Sequence, residues 1–196
     1  MRNRTRYLLI LMTLLLISAC STQPTHAVQA TSTHTASGDS TLSNSTFTLT
    51  SSDVVEGGTL PKDYTCDGTS STLPLSWSGT PAGTQGFAVI MHTVPGPGST
   101  HWYWEVYNIP VSVTALPRNV KNIGTLGNNS VNGQTAYAPP CSKGPGPKIY
   151  TYTVYALSAT PTITVAPQAV SRDVLLAAVK DITLASATLN VTYSRP

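Results

Sequence analysis

Residues 150–157, Tyr150-Thr151-Tyr152-Thr153-Val154-Tyr155-Ala156-Leu157, decide the fold class. Tyr150, Tyr152 and Val154 alternate with Thr151 and Thr153, the period of a strand with two unlike faces. Working outward, Phe47–Ser51, Leu73–Trp77, Gly86–His92, Trp102–Ile109 and Ala187–Tyr193 have the same β-branched and aromatic character and are bounded by turn residues. Between them, Pro95-Gly96-Pro97-Gly98 and Gly144-Pro145-Gly146-Pro147 read as loops of defined shape, because Pro fixes φ and Gly permits positive φ. One helix is expected late in the chain. Ser171 is its N-cap, Asp173 lies in its first turn, and Val174–Lys180 carries the apolar residues. The body is therefore mainly β.

The chain has 196 residues, of which only 10% are charged, against roughly 25% in an average soluble protein. Its formal charge of +3 comes from Arg2, Arg4 and Arg6, and the other eight Lys and Arg are balanced by eight Asp and Glu. A neutral body has no electrostatic footprint for nucleic acid.

The first residues read as an address. Three Arg precede an apolar run, Tyr7–Ile17, too short to span a bilayer. The sequence Ile17-Ser18-Ala19-Cys20 resembles a bacterial lipobox. That implies a signal peptide over residues 1–19, cleavage before Cys20 and lipidation of its thiol. Residues 20–45 are rich in Ser, Thr and Ala without apolar period, so they are expected to form a flexible tether after the lipidated Cys. The domain is expected over 46–196. This places the protein in a bacterial cell envelope, anchored to membrane by lipid, and on the outer membrane if the cell is Gram-negative.

The body resembles the phosphatidylethanolamine-binding protein family, also called Raf kinase inhibitor-like proteins, in its bacterial branch. The resemblance rests on Tyr64-Thr65-Cys66-Asp67-Gly68, Leu73-Pro74-Leu75-Ser76-Trp77, Phe87-Ala88-Val89-Ile90, Trp102-Tyr103-Trp104 with Asn108-Ile109-Pro110, Pro140-Cys141 and Val154-Tyr155-Ala156-Leu157, in family order. It implies a β-sandwich with a large central antiparallel sheet, a smaller sheet and a few peripheral helices. It also implies a small anion pocket at one end, lined by an Asp-Pro-Asp-Ala-Pro run, a Trp-His-Trp run and a His-Arg-Tyr run. This chain departs at all three. It reads His92-Thr93-Val94-Pro95-Gly96, Trp102-Tyr103-Trp104 and Lys148-Ile149-Tyr150 there, so acidic residues are lost and a Lys is gained.

The expected ligand-binding residues are accordingly His92, His101, Tyr103, Tyr137 and Lys148. Lys148 offers a point charge for phosphate, Tyr103 a phenolic donor, and the two His donors that gain charge near neutral pH. Strict alternation puts Tyr103 on the face opposite Trp102 and Trp104, and the family register turns it to the pocket. Tyr137 matches a family pocket-wall position. With Cys20 lipidated, Cys66 and Cys141 remain as an even pair, open to a disulfide, to two free thiols or to a nucleophilic Cys141. No hydrolase motif, metal-ligand spacing or cofactor-cradling loop occurs, and Ser142-Lys143 is an adjacent pair rather than a dyad. Glu105 is a lone strand carboxylate without an acid–base companion. The expectation is a non-enzymatic, lipid-anchored module. Its ligand would be small and anionic or phosphoryl: a phospholipid head group, a phosphate ester or a carboxylate. The alternative is a protein-interaction module that inhibits an envelope protease or other enzyme, since family members are linked to such inhibition.

Overall fold

The computed structural model describes residues 46–96 and 98–195. The expected signal, Cys20 and tether lie outside the described residues. Among those described, no helix is long and apolar enough to cross a membrane.

Eight strands and one helix follow in chain order: β1 (Thr48–Thr50), β2 (Leu75–Ser78), β3 (Gly86–Gly96), β4 (Ser99–Pro110), β5 (Ala115–Leu116), β6 (Thr125–Leu126), β7 (Lys148–Leu157), α1 (Arg172–Val179) and β8 (Thr183–Tyr193). They form a large sheet in the order β6-β4-β3-β7-β8 and a small one in the order β1-β2-β5. Every strand pairing within the two sheets is antiparallel. This is the expected sandwich. The Ser171 hydroxyl caps α1 by accepting from the Val174 amide at 3.4 Å. The two-residue strands β5 and β6 were not expected. The loop expected to begin at Pro95 starts inside the sheet instead, since the β3–β4 ladder runs on to a Gly96–Ser99 pair. Pro95 is tolerated there because the register breaks between Thr93 and Gly96, so no ladder donor is asked of it.

Period 2 in β3 divides the apolar residues between two cores. Phe87, Val89 and Met91 face the small sheet and pack with Leu49, Leu75, Trp77 and Leu116. Ala88 and Ile90 face the other way and meet Val170 with Leu175 and Val179 of α1. Burying such a side chain contributes roughly 1.5–3 kcal/mol, which is why the strand reads as a continuous apolar run. The exposed edge of β8 is covered by the segment after β1. There the Gly57 amide donates to the Asn190 carbonyl at 2.8 Å and the Leu60 amide to Thr192 at 2.7 Å. This strap leaves less of the edge free to pair with another chain.

Glu105 stands across the ladder from Ile90 and so faces the α1 side, where it is fully buried. Neither carboxyl oxygen has a hydrogen-bond partner among the described residues. A Cβ at Gly127 would sit 2.9 Å from the Val170 carbonyl oxygen and 2.5 Å from Glu105 Oε2, so a side chain there would press on both. Burial pushes the Glu105 carboxyl up to about 8, against a weaker opposing pull from Arg172. An unfolded chain releases this proton near the ordinary value of 4.5, while the folded chain keeps it to about 8. Stability must therefore fall as pH rises between those values, by at most about 1.4 kcal/mol per pH unit. Glu105→Gln removes that slope. In urea unfolding, the advantage of the Gln variant should grow from about pH 5 to about pH 8. An advantage constant across that range would mean that Glu105 is already ionised in the folded state.

Candidate functional site

The loops at one end of the large sheet enclose a cavity of about 370 Å³. Its position follows from the strand ends: Thr93 and Pro95 close β3, His101 and Tyr103 open β4, and Lys148 begins β7. The remaining wall comes from the chain between β6 and β7, at Ser130 and Val131 and again at Pro139, Cys141 and Ser142.

Tyr103 reaches the cavity because of a bulge. Met91 pairs with Trp104 and the next residue, His92, pairs with Trp102, which leaves Tyr103 as the extra residue of β4. Tyr103 and Trp104 consequently both join the inner core, while Trp102 turns outward and donates its indole N–H to Asn128 Oδ1 at 3.0 Å. The Tyr103 ring stands edge-on to Tyr150, with centroids 5.3 Å apart. Burial raises both phenols above their ordinary value, so both remain protonated donors. The Tyr150 hydroxyl is buried, close to the hydroxyl of Tyr103 and the backbone of Ser142. At the mouth, the Lys148 ammonium donates to the Pro145 carbonyl at 2.8 Å. The lining contains Lys148 and His101 and no carboxylate.

The wall has little regular structure, so side chains hold it. The buried Asn129 uses its whole amide: Oδ1 accepts from the Val131 and Asn132 amides at 3.0 Å each, and Nδ2 donates to the Gln134 and Ala136 carbonyls at 2.9 and 3.2 Å. The Ser130 hydroxyl accepts from the Trp102 amide at 2.9 Å, and the Ala138 amide donates to the Tyr103 carbonyl at 2.8 Å. A disulfide joins Cys141 to Cys66 across a separation of 75 residues. Beside it, the Cys66 amide donates to the Pro140 carbonyl at 3.1 Å.

A family model described as phosphatidylethanolamine-binding protein matches residues 50–194. The chain belongs to the phosphatidylethanolamine-binding protein family. It is 34% identical over 123 residues to a UPF0098 protein of Methanothermobacter thermautotrophicus, covering 60% of this chain and 80% of that one. It is 35% identical over 127 residues to the UPF0098 protein YbcL of Escherichia coli, covering 57% and 68%. Among solved structures, the Chlamydia trachomatis homologue CT736 superposes with a TM-score of 0.69 at 28% identity, over 76% of this chain and 98% of that one. Crystalline YbcL, described as a member of the mammalian family, gives 0.69 at 27%, over 76% and 99%.

Of the site residues expected for this family member, the structure brings His101, Tyr103 and Lys148 together in the cavity. His92 is not there. It shares the parity of Ala88 and Ile90, so it faces the α1 side, half-buried, with Nδ1 unpartnered among the described residues. Burial first, and then Arg172, lowers its pKa, so it stays neutral more readily than an ordinary His. Tyr137 stands behind the wall rather than in it. Its hydroxyl donates to the Tyr64 carbonyl at 2.7 Å and its ring packs edge-on to Trp104 at 6.0 Å. The bonded Cys141 is neither a free thiol nor a nucleophile. Thr93, Ser130 and Asn129 were missed. The only sequence signal for Asn129 was a buried-capable amide amid turn residues, which many loops share.

Closing a loop of this length should stabilise the fold by up to about 4 kcal/mol through the unfolded chain. The Cys66→Ala/Cys141→Ala variant should lose most of that in urea unfolding, and reductant should lower only the native protein. A native protein indifferent to reductant would show that the bond contributes nothing to stability.

Proposed function

We propose that this pocket binds a small oxyanion ligand, a phosphoryl group or a carboxylate, and releases it unchanged. The observation that carries the reading is a cavity lined by the Lys148 ammonium and the His101 ring, with no carboxylate, over a floor of protonated Tyr103. A charge-assisted hydrogen bond from Lys to an oxyanion is about twice as strong as a neutral one. Tyr103 adds an O–H donor in a dry setting, where such a bond gains strength. The buried Tyr150 hydroxyl, beside that of Tyr103, is the next donor inward. The mainly apolar remainder of the wall suits a ligand with an organic body behind its anionic end. The name of the matching family supports a phospholipid head group as one such ligand.

A binding module fits better than an enzyme. Cys141 is bonded to Cys66, and the lining offers no carboxylate to orient His101 as a base for Ser142. The basic and apolar start of the chain, ending in Ile17-Ser18-Ala19-Cys20, supports placing the module at the surface of an envelope membrane.

Calorimetric titration with inorganic phosphate and with phosphorylethanolamine tests the reading. Lys148→Ala should weaken both by about ten- to a hundredfold, the range for a hydrogen bond to a charged group. Tyr103→Phe should also weaken them by about tenfold, since its hydroxyl too would donate to a charged group. An affinity unchanged in Lys148→Ala would remove that residue from the site, and absence of binding to the native protein would overturn the reading.

A further inference from the structure

The lining of the pocket carries no carboxylate, but one stands close behind it. Asp67 follows Cys66, whose disulfide partner Cys141 lines the cavity, and the two cysteine Cα atoms are 5.4 Å apart. With one peptide step of about 3.8 Å between neighbours, the Asp67 Cα lies within about 9 Å of the Cys141 Cα. From the other side, Asp67 Oδ2 accepts from the Tyr193 hydroxyl at 2.5 Å. Tyr193 stands directly opposite Lys148 in the β7–β8 ladder, so the two side chains share a face of the sheet. Left alone, the Asp67 charge would repel any anion held by Lys148.

That charge is not left alone. Two residues beyond β8, Arg195 donates from Nε to Asp67 Oδ1 at 3.0 Å and holds Nη2 at 3.0 Å from the same oxygen. The exposed Lys62 adds a weaker pull. The Tyr193 hydroxyl first, and then Arg195, hold the Asp67 carboxyl below its ordinary value, so it is ionised at neutral pH. Three ion pairs occur among the described residues, and this is the one in which both side chains are less than a third exposed, at 28% for Arg195 and 17% for Asp67.

We infer that Arg195 masks the Asp67 carboxylate and thereby sets the field behind the pocket, keeping the pocket receptive to an oxyanion. The inference rests on the oxyanion reading given above. The effect is carried by charge rather than contact, since neither side chain lines the cavity. Two opposite charges held together exert little net force on an anion about 10 Å away, and removing one leaves a whole charge at that distance. With an effective dielectric constant between about 20 and 80, one such charge changes affinity by about two- to tenfold.

Calorimetric titration with inorganic phosphate tests this, because charge gives the two partners opposite signs. Arg195→Gln exposes the Asp67 charge and should weaken binding by about two- to tenfold. Asp67→Asn keeps an acceptor for the Tyr193 hydroxyl but frees the Arg195 charge, and should tighten binding by a similar factor. The double variant should return close to the native affinity, and added salt should shrink both single shifts. Arg195→Lys keeps the charge without the forked geometry and should bind as the native protein does, a comparison that stands even if Asp67→Asn fails to fold. A pair that only props the fold would weaken binding in both single variants and would not recover in the double one. Shifts of the same sign, no shift in either variant, or Arg195→Lys as weak as Arg195→Gln would overturn the inference and leave the oxyanion reading standing. A native protein that binds no phosphate overturns both.

Discussion

The pocket depends on one unpaired residue in the ladder between β3 and β4. Strict alternation along Trp102-Tyr103-Trp104 would send Tyr103 to the face opposite both tryptophans. Because Met91 and His92 are adjacent while their partners Trp104 and Trp102 are two apart, the alternation is reset at Tyr103. Its ring becomes the pocket floor, Trp104 stays in the inner core, and Trp102 turns outward to Asn128. The Tyr103 carbonyl also receives the Ala138 amide, so the bulge that makes the floor also fastens the wall. A slip of one residue would exchange the faces of everything beyond it.

Around that floor, the chemistry follows from what burial does to each group. Tyrosines kept protonated by burial keep their hydroxyls as donors. Glu105 is a carboxylate in the same strand, yet it lies on the other side of the sheet and is held neutral there. It therefore adds no negative charge near the cavity. The wall has almost no ladder of its own. It is shaped by the Asn129 amide, the Ser130 hydroxyl and the bond between Cys66 and Cys141.

Six strands and the helix were legible in the sequence because each has several residues over which a period shows. The two-residue strands β5 and β6 carry no period, so nothing local distinguishes them from loop. The continuation of the β3–β4 ladder to Gly96 and Ser99 was hidden because Pro and Gly signal turns, and the break in register that admits Pro95 is a tertiary property. His101 and Lys148 were reached through the resemblance, one beside and one within its pocket runs, and both stand at strand ends that border the cavity. His92 was misplaced because a resemblance aligns segments, while parity decides faces. Tyr137 was read as lining, but the Tyr64 carbonyl draws its hydroxyl away from the cavity. The state of Cys66 and Cys141 was open from sequence, since a separation of 75 residues says nothing about distance.

The most direct measurement is a crystal structure of residues 46–196 soaked with phosphorylethanolamine. The account predicts the phosphoryl group in the cavity, within hydrogen-bond reach of the Lys148 ammonium and the Tyr103 hydroxyl, with no ligand at His92. A cavity left empty at saturating ligand, or an anion bound instead beside His92 and Arg172 on the opposite face, would contradict it.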